Sequence, residues 1–358
     1  DSKKRGLVLT NSILFFTSSP EINSLVSIFE KDIESISSVD INFKETPKTK
    51  ANLIFEIDNN LKNEEYSIRI SDNILINGGS YDALAMAKSS LLQLLEVEKS
   101  KLIFPFLELK DRPDSAYRGL LIDLARMWHD VPTLKNIIDL ASFYKIKYLQ
   151  LHLSDDQSFT FPSEKFPKLA TPDRPYSKKD FRSLVKYAKD RGIIIIPELD
   201  VPGHSRQFVE IYPEIFAVNN KMLQINPSKS NVINIGSEKV YDAIDQLIGE
   251  IIEVFDTNID GCGDSSSPGQ VVFFQHRGVI QAHAVVDATT TAHGVFLEQP
   301  QPRRGLACVG QSNPCAVQLG HQLAGRRCDP REAHCQIESG SLSGHQCGGW
   351  ALQLQQPL

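Results

Sequence analysis

Residues 193–204 decide the fold, and their sequence is Ile-Ile-Ile-Ile-Pro-Glu-Leu-Asp-Val-Pro-Gly-His. An unbroken run of β-branched apolar residues is typical of a strand that is buried on both faces in a parallel sheet. The run ends in polar residues, which include Glu198, Asp200 and His204. In a β/α barrel the reactive side chains lie at the carboxyl ends of the strands. The stretch therefore predicts a barrel strand followed by part of a functional site.

Two earlier stretches have the same design. Residues 117–123 are Tyr-Arg-Gly-Leu-Leu-Ile-Asp, and residues 151–156 are Leu-His-Leu-Ser-Asp-Asp. The segments between these strands carry apolar residues at helical spacing. Asp130 and Ser177 stand where the first two of these helices should begin, and Ser177 has Asp180 three residues on, as in a capping box. A last helix is predicted from about Ser237 to Phe255. The pattern predicts three strands of a parallel barrel before Asp256.

The residues before the barrel form a separate region. Short runs with alternating apolar residues predict strands near Leu53–Ile57 and Tyr66–Ile70, and a helix is expected from about Tyr81, with Ser80 as its N-cap. A linker is predicted at Leu109–Pro113. The fold class is therefore α/β, with an N-terminal α/β accessory domain at 1–112, the first part of a TIM-type (β/α)8 barrel at 113–256, and an atypical, irregular tail at 257–358.

The tail differs in composition from the rest of the chain. The last lysine is Lys239, and all six cysteines follow Asp256. A change of reading frame would produce such a break, and it would leave the tail disordered or unrelated to the barrel. Two other interpretations stay open. Six cysteines allow 15 disulfide pairings, and with His321, His334 and His345 they could bind zinc, although no Cys-x-x-Cys motif supports that site.

The overall composition excludes some partners. The chain is 41% hydrophobic and 23% charged, with a formal net charge of −6. An acidic balance gives no reason to expect nucleic acid or an anionic membrane surface as a partner. No apolar run is long enough to span a bilayer. We therefore expect a globular protein without a membrane span, without a nucleic-acid partner and without a cofactor.

Taken together, the motifs resemble those of one enzyme family. The Tyr-Arg-Gly-x-x-x-Asp, Leu-His-Leu-Ser-Asp-Asp-Gln and Pro-Glu-x-Asp-x-Pro-Gly-His motifs occur in the order and spacing of glycoside hydrolase family 20 β-N-acetylhexosaminidases. The resemblance covers roughly residues 50–255. It implies retaining hydrolysis of terminal N-acetylglucosamine or N-acetylgalactosamine from a glycan or glycoconjugate, with the acetamido oxygen of the substrate as nucleophile. It also suggests a secreted, periplasmic or lysosomal location.

The resemblance assigns roles to three residues. Arg118 would bind ring hydroxyls at the floor of the pocket, while Asp155 and His204 would form a supporting dyad that tunes the catalytic acid. Each has a simpler explanation when considered alone. Asp155 with Asp156 could cap a loop, His204 could be structural, and Arg118 could be a surface or salt-bridge arginine. Convergence of strand ends on one face of a barrel favours the functional interpretation.

One part of the family pattern is missing from the chain. The family carries an adjacent Asp-Glu pair on its fourth strand, in which the Glu is the general acid, and no Asp-Glu dipeptide occurs here. The pair is expected just after Phe255. We interpret Glu238 as a first-turn residue of the last helix, where the helix dipole favours it. The sequence therefore predicts little or no hydrolysis, and the alternative function is a non-catalytic glycan-binding protein.

Overall fold

The computed structural model describes residues 6–10, 12–37, 39–99, 101–218 and 230–255, and the backbone of three short strands within 271–273, 283–285 and 350–353. All of these residues fall in one compact unit, Asp1–Leu297 with Gly349–Leu358. The cysteines and histidines considered for a disulfide or zinc module lie outside the described residues. Among the described helices, none combines the length and apolar character needed to cross a bilayer.

The N-terminal domain is built on a mixed six-stranded sheet. Its elements are β1 (Gly6–Leu9), β2 (Ser12–Thr17), α1 (Asn23–Ile36), β3 (Asn42–Glu45), β4 (Leu53–Ile57), β5 (Tyr66–Ile70), β6 (Ile74–Gly78), α2 (Tyr81–Leu94), β7 (Glu96–Glu98), β8 (Lys101–Pro105) and β9 (Leu107–Asp111). The strand order of this sheet is β3-β2-β4-β6-β5-β9, and β1, β8 and β7 form a second, small sheet. The α/β character predicted for this region is confirmed.

Two details of this domain bear on the sequence predictions. Ser80 is the N-cap of α2, and its side chain accepts a hydrogen bond from the Ala83 amide, as predicted. The predicted linker at Leu109–Pro113 is wrong in its first half. Leu109–Asp111 belong to β9, which pairs antiparallel with β5. A strand with partly buried and exposed side chains in alternation can join a sheet edge without a strongly apolar sequence.

The barrel segment follows the N-terminal domain in the chain. Its elements are β10 (Arg118–Asp123), α3 (Val131–Phe143), β11 (Tyr148–His152), α4 (Lys178–Lys189), β12 (Ile194–Glu198), α5 (Arg206–Ile211), α6 (Pro213–Phe216) and α7 (Glu238–Phe255), then β13 (Val271–Phe273), β14 (His283–Val285) and β15 (Trp350–Gln353). Strands β10, β11 and β12 are parallel neighbours, with Gly119 opposite Tyr148 and Tyr148 opposite Ile194. The three predicted barrel strands are confirmed.

Local sequence signals set the ends of the barrel helices. Asp130 caps α3 by accepting a hydrogen bond from the Thr133 amide. Ser177 and Asp180 form the predicted capping box at the start of α4, in which each side chain satisfies a backbone N–H that the helix leaves free. Gly192 follows α4 at φ 72°, a left-handed conformation that glycine adopts without steric cost.

Helix α7 completes the described core. Val240, Leu247, Ile251 and Phe255 are among its buried residues, and the Phe255 ring contacts the Phe181 ring of α4 at 5.2 Å between centroids. Within the tail, β13 pairs with β12 and β15 pairs with β10, both in parallel. The backbone of these short strands extends the barrel sheet on either side, so the described tail is not wholly irregular. The rest of the tail lies outside the described residues.

The N-terminal domain contacts the amino ends of the barrel strands. Glu64 receives the Arg118 guanidinium at 3.0 Å and the Lys147 ammonium at 3.1 Å. Arg118 begins β10 and Lys147 immediately precedes β11. Tyr81 of α2 donates a hydrogen bond to the Asp190 carbonyl, which lies just before β12. The carboxyl ends of the strands are therefore left to the other face of the barrel.

Candidate functional site

The candidate site lies at the carboxyl ends of β10, β11 and β12, where the sequence predicted it. Strand β10 ends at Asp123 and is followed by Arg126. Strand β11 is followed by Asp155, and β12 by Asp200 and His204. In-register parallel strands place these ends side by side. The arrangement brings acidic, basic and imidazole groups to one face of the barrel.

Asp155 is the centre of this cluster. Its side chain is 1% exposed. Its Oδ1 lies 3.2 Å from His204 Nδ1 and accepts a hydrogen bond from the Asp156 amide at 2.6 Å. Its Oδ2 lies 3.0 Å from His152 Nε2 and also pairs with the Arg126 guanidinium. Both carboxylate oxygens are therefore satisfied by several donors at once.

The charge of Asp155 follows from these contacts. Burial acts to raise the pKa of its carboxyl, but the hydrogen bonds from His152 and the Asp156 amide and the charge of Arg126 lower it below the ordinary 3.8 overall. Opposite charges and donors aimed at a carboxylate favour its ionised form. Asp155 is a buried anion at neutral pH.

His204 reaches the open side of the cluster. The residue adopts φ 51°, a left-handed conformation that costs free energy for a side chain other than glycine and recurs at functional sites. The next residue is anchored, because the Ser205 amide donates to the Asn231 carbonyl at 2.9 Å. The His204 side chain is 45% exposed. The structure therefore brings the predicted pair Asp155 and His204 together, with the imidazole facing outward.

Asp200 provides a second carboxyl with different properties. It is 3% exposed. Burial raises its pKa to about 6, and the nearby positive charge of His152 offsets only part of that effect. A carboxyl that titrates near neutral pH can exchange a proton, whereas Asp155 holds a fixed charge. The sequence motif contained Asp200, but only burial distinguishes its behaviour from that of Asp155.

Arg118 is not at this site, so the pocket-floor position predicted for it is wrong. Its guanidinium donates to the carbonyls of Ser115 and Lys145 at 2.7 and 2.9 Å and pairs with Glu64. The physical reason is its place in the strand. Arg118 precedes the apolar run of β10 and therefore stands at the amino end, across the barrel from Asp155. It joins the two domains.

Arg126, rather than Arg118, lies at the carboxyl end of β10 beside Asp155. Its backbone amide donates to Asp123 Oδ1 at 2.9 Å, and its guanidinium bonds Asp123 Oδ2 at 2.6 Å and also pairs with Asp155. The side chain is 44% exposed, so part of the guanidinium faces solvent. The sequence feature that could have identified Arg126 is an arginine three residues after the aspartate that ends the strand.

Replacing Arg118 with alanine is expected to destabilise the protein. Glu64 would lose a charged partner at a half-buried position, and two carbonyls would lose donors. We expect the free energy of unfolding to fall by about 1–3 kcal/mol. Urea denaturation measures this change. The matched control is Arg112→Ala, which removes an arginine from the segment between β9 and β10, where the structure shows only its backbone amide bonding. Equal losses for the two variants would contradict the structural role of Arg118.

Two described groups have the composition of metal ligands. His152, Glu198 and Asp200 form one, and Asp155, Asp156 and His204 form the other, each with ligand atoms within 4.8 Å of one another. In the first group both ring nitrogens of His152 already face carboxylate oxygens. In the second, His204 Nδ1 faces Asp155. Both ring nitrogens of His152 are engaged by hydrogen bonds, so the first donor set does not fit a metal ion well.

The stability of the protein is expected to fall as the pH rises from 6.5 to about 10. Burial acts to lower the pKa of His152, but hydrogen bonds to Asp155 and Glu198 raise it from 6.5 to about 10. A histidine with a raised folded-state pKa contributes stability fully below its unfolded value, and this contribution is lost as the pH passes through the folded value. Urea denaturation across this range measures the slope. His152→Asn should flatten it, and parallel slopes would contradict the assignment.

Comparison with known proteins supports the family resemblance. Residues 116–270 match the model of the glycosyl hydrolase family 20 catalytic domain. A β-hexosaminidase of Porphyromonas gingivalis is 30% identical over 217 residues, covering 54% of this chain and 28% of that protein. A chitooligosaccharidolytic β-N-acetylglucosaminidase of Bombyx mori is 28% identical over 248 residues, covering 60% of this chain and 40% of that protein.

Solved structures give the same result for the fold. An exo-β-N-acetylglucosaminidase from Vibrio harveyi, solved in complex with N-acetylglucosamine, superposes with a TM-score of 0.63 at 24% identity and covers 70% of this chain and 43% of that one. A chitobiase from Flavobacterium johnsoniae gives a TM-score of 0.59 at 26% identity and covers 70% and 42%. The alignments span less than half the length of each of these relatives. Over that part the chain is β-N-acetylhexosaminidase-like, and its barrel has the family's architecture.

Proposed function

We propose that this chain, which is glycoside hydrolase family 20-like over residues 116–270, derives from a glycosidase that removes terminal β-linked N-acetylglucosamine or N-acetylgalactosamine from glycans. The observation that carries the proposal is the contact between Asp155 and His204 at the carboxyl ends of the barrel strands, with Arg126 beside them. A pocket with several convergent polar groups suits a substrate rich in hydroxyls.

In this proposal each residue has a distinct role. Arg126 donates to sugar hydroxyls, because a guanidinium fork presents several donors in a fixed plane and its outer part faces solvent. Asp155 and His204 form the supporting dyad. Asp155 fixes the tautomer and orientation of the His204 ring, and the ring would contact the general acid of a complete site. The nucleophile in this reaction class is the acetamido oxygen of the substrate.

The general acid is the part that the chain does not supply. No Asp-Glu dipeptide occurs in the sequence. Glu238 is the first residue of α7, which agrees with its interpretation as a helix-start residue. The expected place for the pair, residues 256–262, lies outside the described residues. We infer that the chain as written hydrolyses substrate poorly or not at all.

The absence of an Asp-Glu dipeptide favours a second candidate function. A chain that keeps Arg126, Asp155 and His204 but lacks the acid would bind a terminal N-acetylhexosamine without cleaving it. For the tail at 257–358, a change of reading frame remains our interpretation, because the change in composition coincides with the missing motif. The family match continues past Asp256 to residue 270, so the change would fall within the matched segment.

Turnover and binding measured on one preparation test the proposal. The substrate is a chromogenic β-N-acetylglucosaminide, and binding of free N-acetylglucosamine is followed by calorimetry with glucose as the control sugar. We expect saturable binding of N-acetylglucosamine with turnover at the background rate. Turnover abolished by Glu238→Gln would show that the acid was misplaced. Absence of binding to N-acetylglucosamine, with the protein folded, would contradict both candidate functions.

A further inference from the structure

Behind the dyad lie two buried residues that the proposed function does not use. Glu198 ends β12 and is 0% exposed, and His152 ends β11 and is 4% exposed. Glu198 Oε2 lies 3.2 Å from His152 Nδ1 and accepts a hydrogen bond from Gln150 Nε2 at 2.8 Å. His152 Nε2 lies 3.0 Å from Asp155 Oδ2. A continuous row of contacts therefore runs from Glu198 through His152 and Asp155 to His204.

The hydrogen-bonding chemistry restricts the charge of the row. An ionised carboxylate only accepts hydrogen bonds, and a neutral imidazole has one donor and one acceptor nitrogen. His152 presents both nitrogens to carboxylate oxygens. Both contacts are favourable only when both nitrogens carry protons, that is, when the ring is an imidazolium. The competing arrangement moves one proton to Glu198 and leaves the ring neutral.

The surrounding charges favour the imidazolium. Asp123 at the end of β10 and Asp200 after β12 also act on His152 electrostatically. The nearby cation Arg126 pairs with Asp123 and Asp155. Among the described residues, carboxylates from all three strand ends thus act electrostatically on His152. Opposite charges at this range stabilise a buried cation against the cost of losing its hydration.

We propose that Glu198 and His152 are positioning residues that form a buried charge relay, in which the Glu198 carboxylate holds His152 as an imidazolium and His152 holds Asp155 towards His204. This arrangement determines which nitrogen of His204 carries the proton at the site. With its Oδ2 engaged by His152, Asp155 offers Oδ1 to His204 Nδ1. His204 then carries its proton on Nδ1 and presents Nε2 to the open side as an acceptor. The charge states in this relay do not depend on the proposed function. Only its purpose, which is to orient His204 in the sugar site, rests on that function.

The test reads the protonation of His152 directly. The chain is labelled with nitrogen-15 in its histidine rings, and two-dimensional spectra are recorded across a pH titration. The His152 signals are assigned by their loss in His152→Asn. At neutral pH we expect both ring nitrogens of His152 to have imidazolium shifts. Glu198→Gln keeps the shape and an acceptor oxygen but removes the charge, and it is expected to lower the His152 titration midpoint by about 1–3 pH units.

The matched control is Glu250→Gln. Glu250 is also buried, on α7, and its carboxylate bonds the Ser163 hydroxyl and the Glu164 amide rather than His152. The Glu250→Gln substitution should leave the titration midpoint of His152 unchanged. A neutral His152 ring at pH 7 in the unmodified chain overturns the relay, even if Glu198→Gln does not fold. An unchanged midpoint in folded Glu198→Gln also overturns it. Neither readout involves a sugar, so the relay and the proposed function can fail separately.

Discussion

Asp155→Ala is expected to lower the free energy of unfolding by about 3–5 kcal/mol, the usual cost of removing one partner from a buried ion pair. The substitution removes the acceptor of His152 and of His204, and it removes one of the two carboxylates that hold Arg126. Arg126 can turn towards solvent, but His152 stays buried with part of its charge uncompensated. Guanidinium denaturation followed by circular dichroism measures the loss.

The adjacent aspartate gives the control. The Asp156 carboxylate accepts from the Arg206 backbone amide at 3.2 Å and from the Asn231 side chain at 3.3 Å. Both donors are neutral, whereas Asp155 pairs with the charged Arg126 guanidinium. We expect Asp156→Ala to cost about 0.5–1.5 kcal/mol. Comparable losses at both positions would mean that Asp155 is no more than a loop-capping residue, which is the simpler explanation considered from the sequence.

The second large effect is expected from restoring the reading frame. DNA sequencing across the codons for Phe255 to Cys262 should reveal one inserted or deleted base, whose correction yields an Asp-Glu pair followed by further β/α units. General acid catalysis contributes about 10²–10⁴-fold to such a reaction. The corrected protein should therefore hydrolyse a chromogenic β-N-acetylglucosaminide at least that much faster than the chain as written.

The control for this comparison is a corrected protein in which the glutamate of the restored pair is changed to glutamine. Its rate should return towards that of the uncorrected chain. If sequencing confirms the present frame, the tail is a genuine part of the protein. The glycan-binding function would then take precedence over hydrolysis.

Much of the barrel was predictable because its strands have unambiguous sequences. Residues 119–123, 148–152 and 194–198 are apolar runs that end in polar residues, and the structure places strands at all three. The capping box of Ser177 and Asp180 predicted the start of α4. In the N-terminal domain, helix α1 and strands β3, β6, β7 and β8 were not predicted. Strand β3 carries the polar sequence Asn-Phe-Lys-Glu and is held by pairing with β2.

The candidate site was predicted only in part. Asp155 and His204 follow strand ends and were found. Arg118 was misplaced because its motif was considered as a unit, although an arginine before an apolar run lies at the amino end of the strand. His152 and Glu198 were given no role, since a strand sequence does not show which of its residues meet a neighbour's side chain. Their contacts depend on the register of β11 with β12, where His152 stands opposite Glu198.

Calorimetric titration of N-acetylglucosamine into the unmodified chain and into Arg126→Gln and Arg118→Gln tests most directly where the sugar binds. Both variants lose one positive charge, but only Arg126 lies beside Asp155. We expect saturable binding for the unmodified chain and for Arg118→Gln, and at least about tenfold weaker binding for Arg126→Gln, since a charged hydrogen bond contributes about 1.5–3 kcal/mol. Binding weakened by Arg118→Gln and unchanged by Arg126→Gln would contradict the placement of the sugar site at the carboxyl ends of the strands.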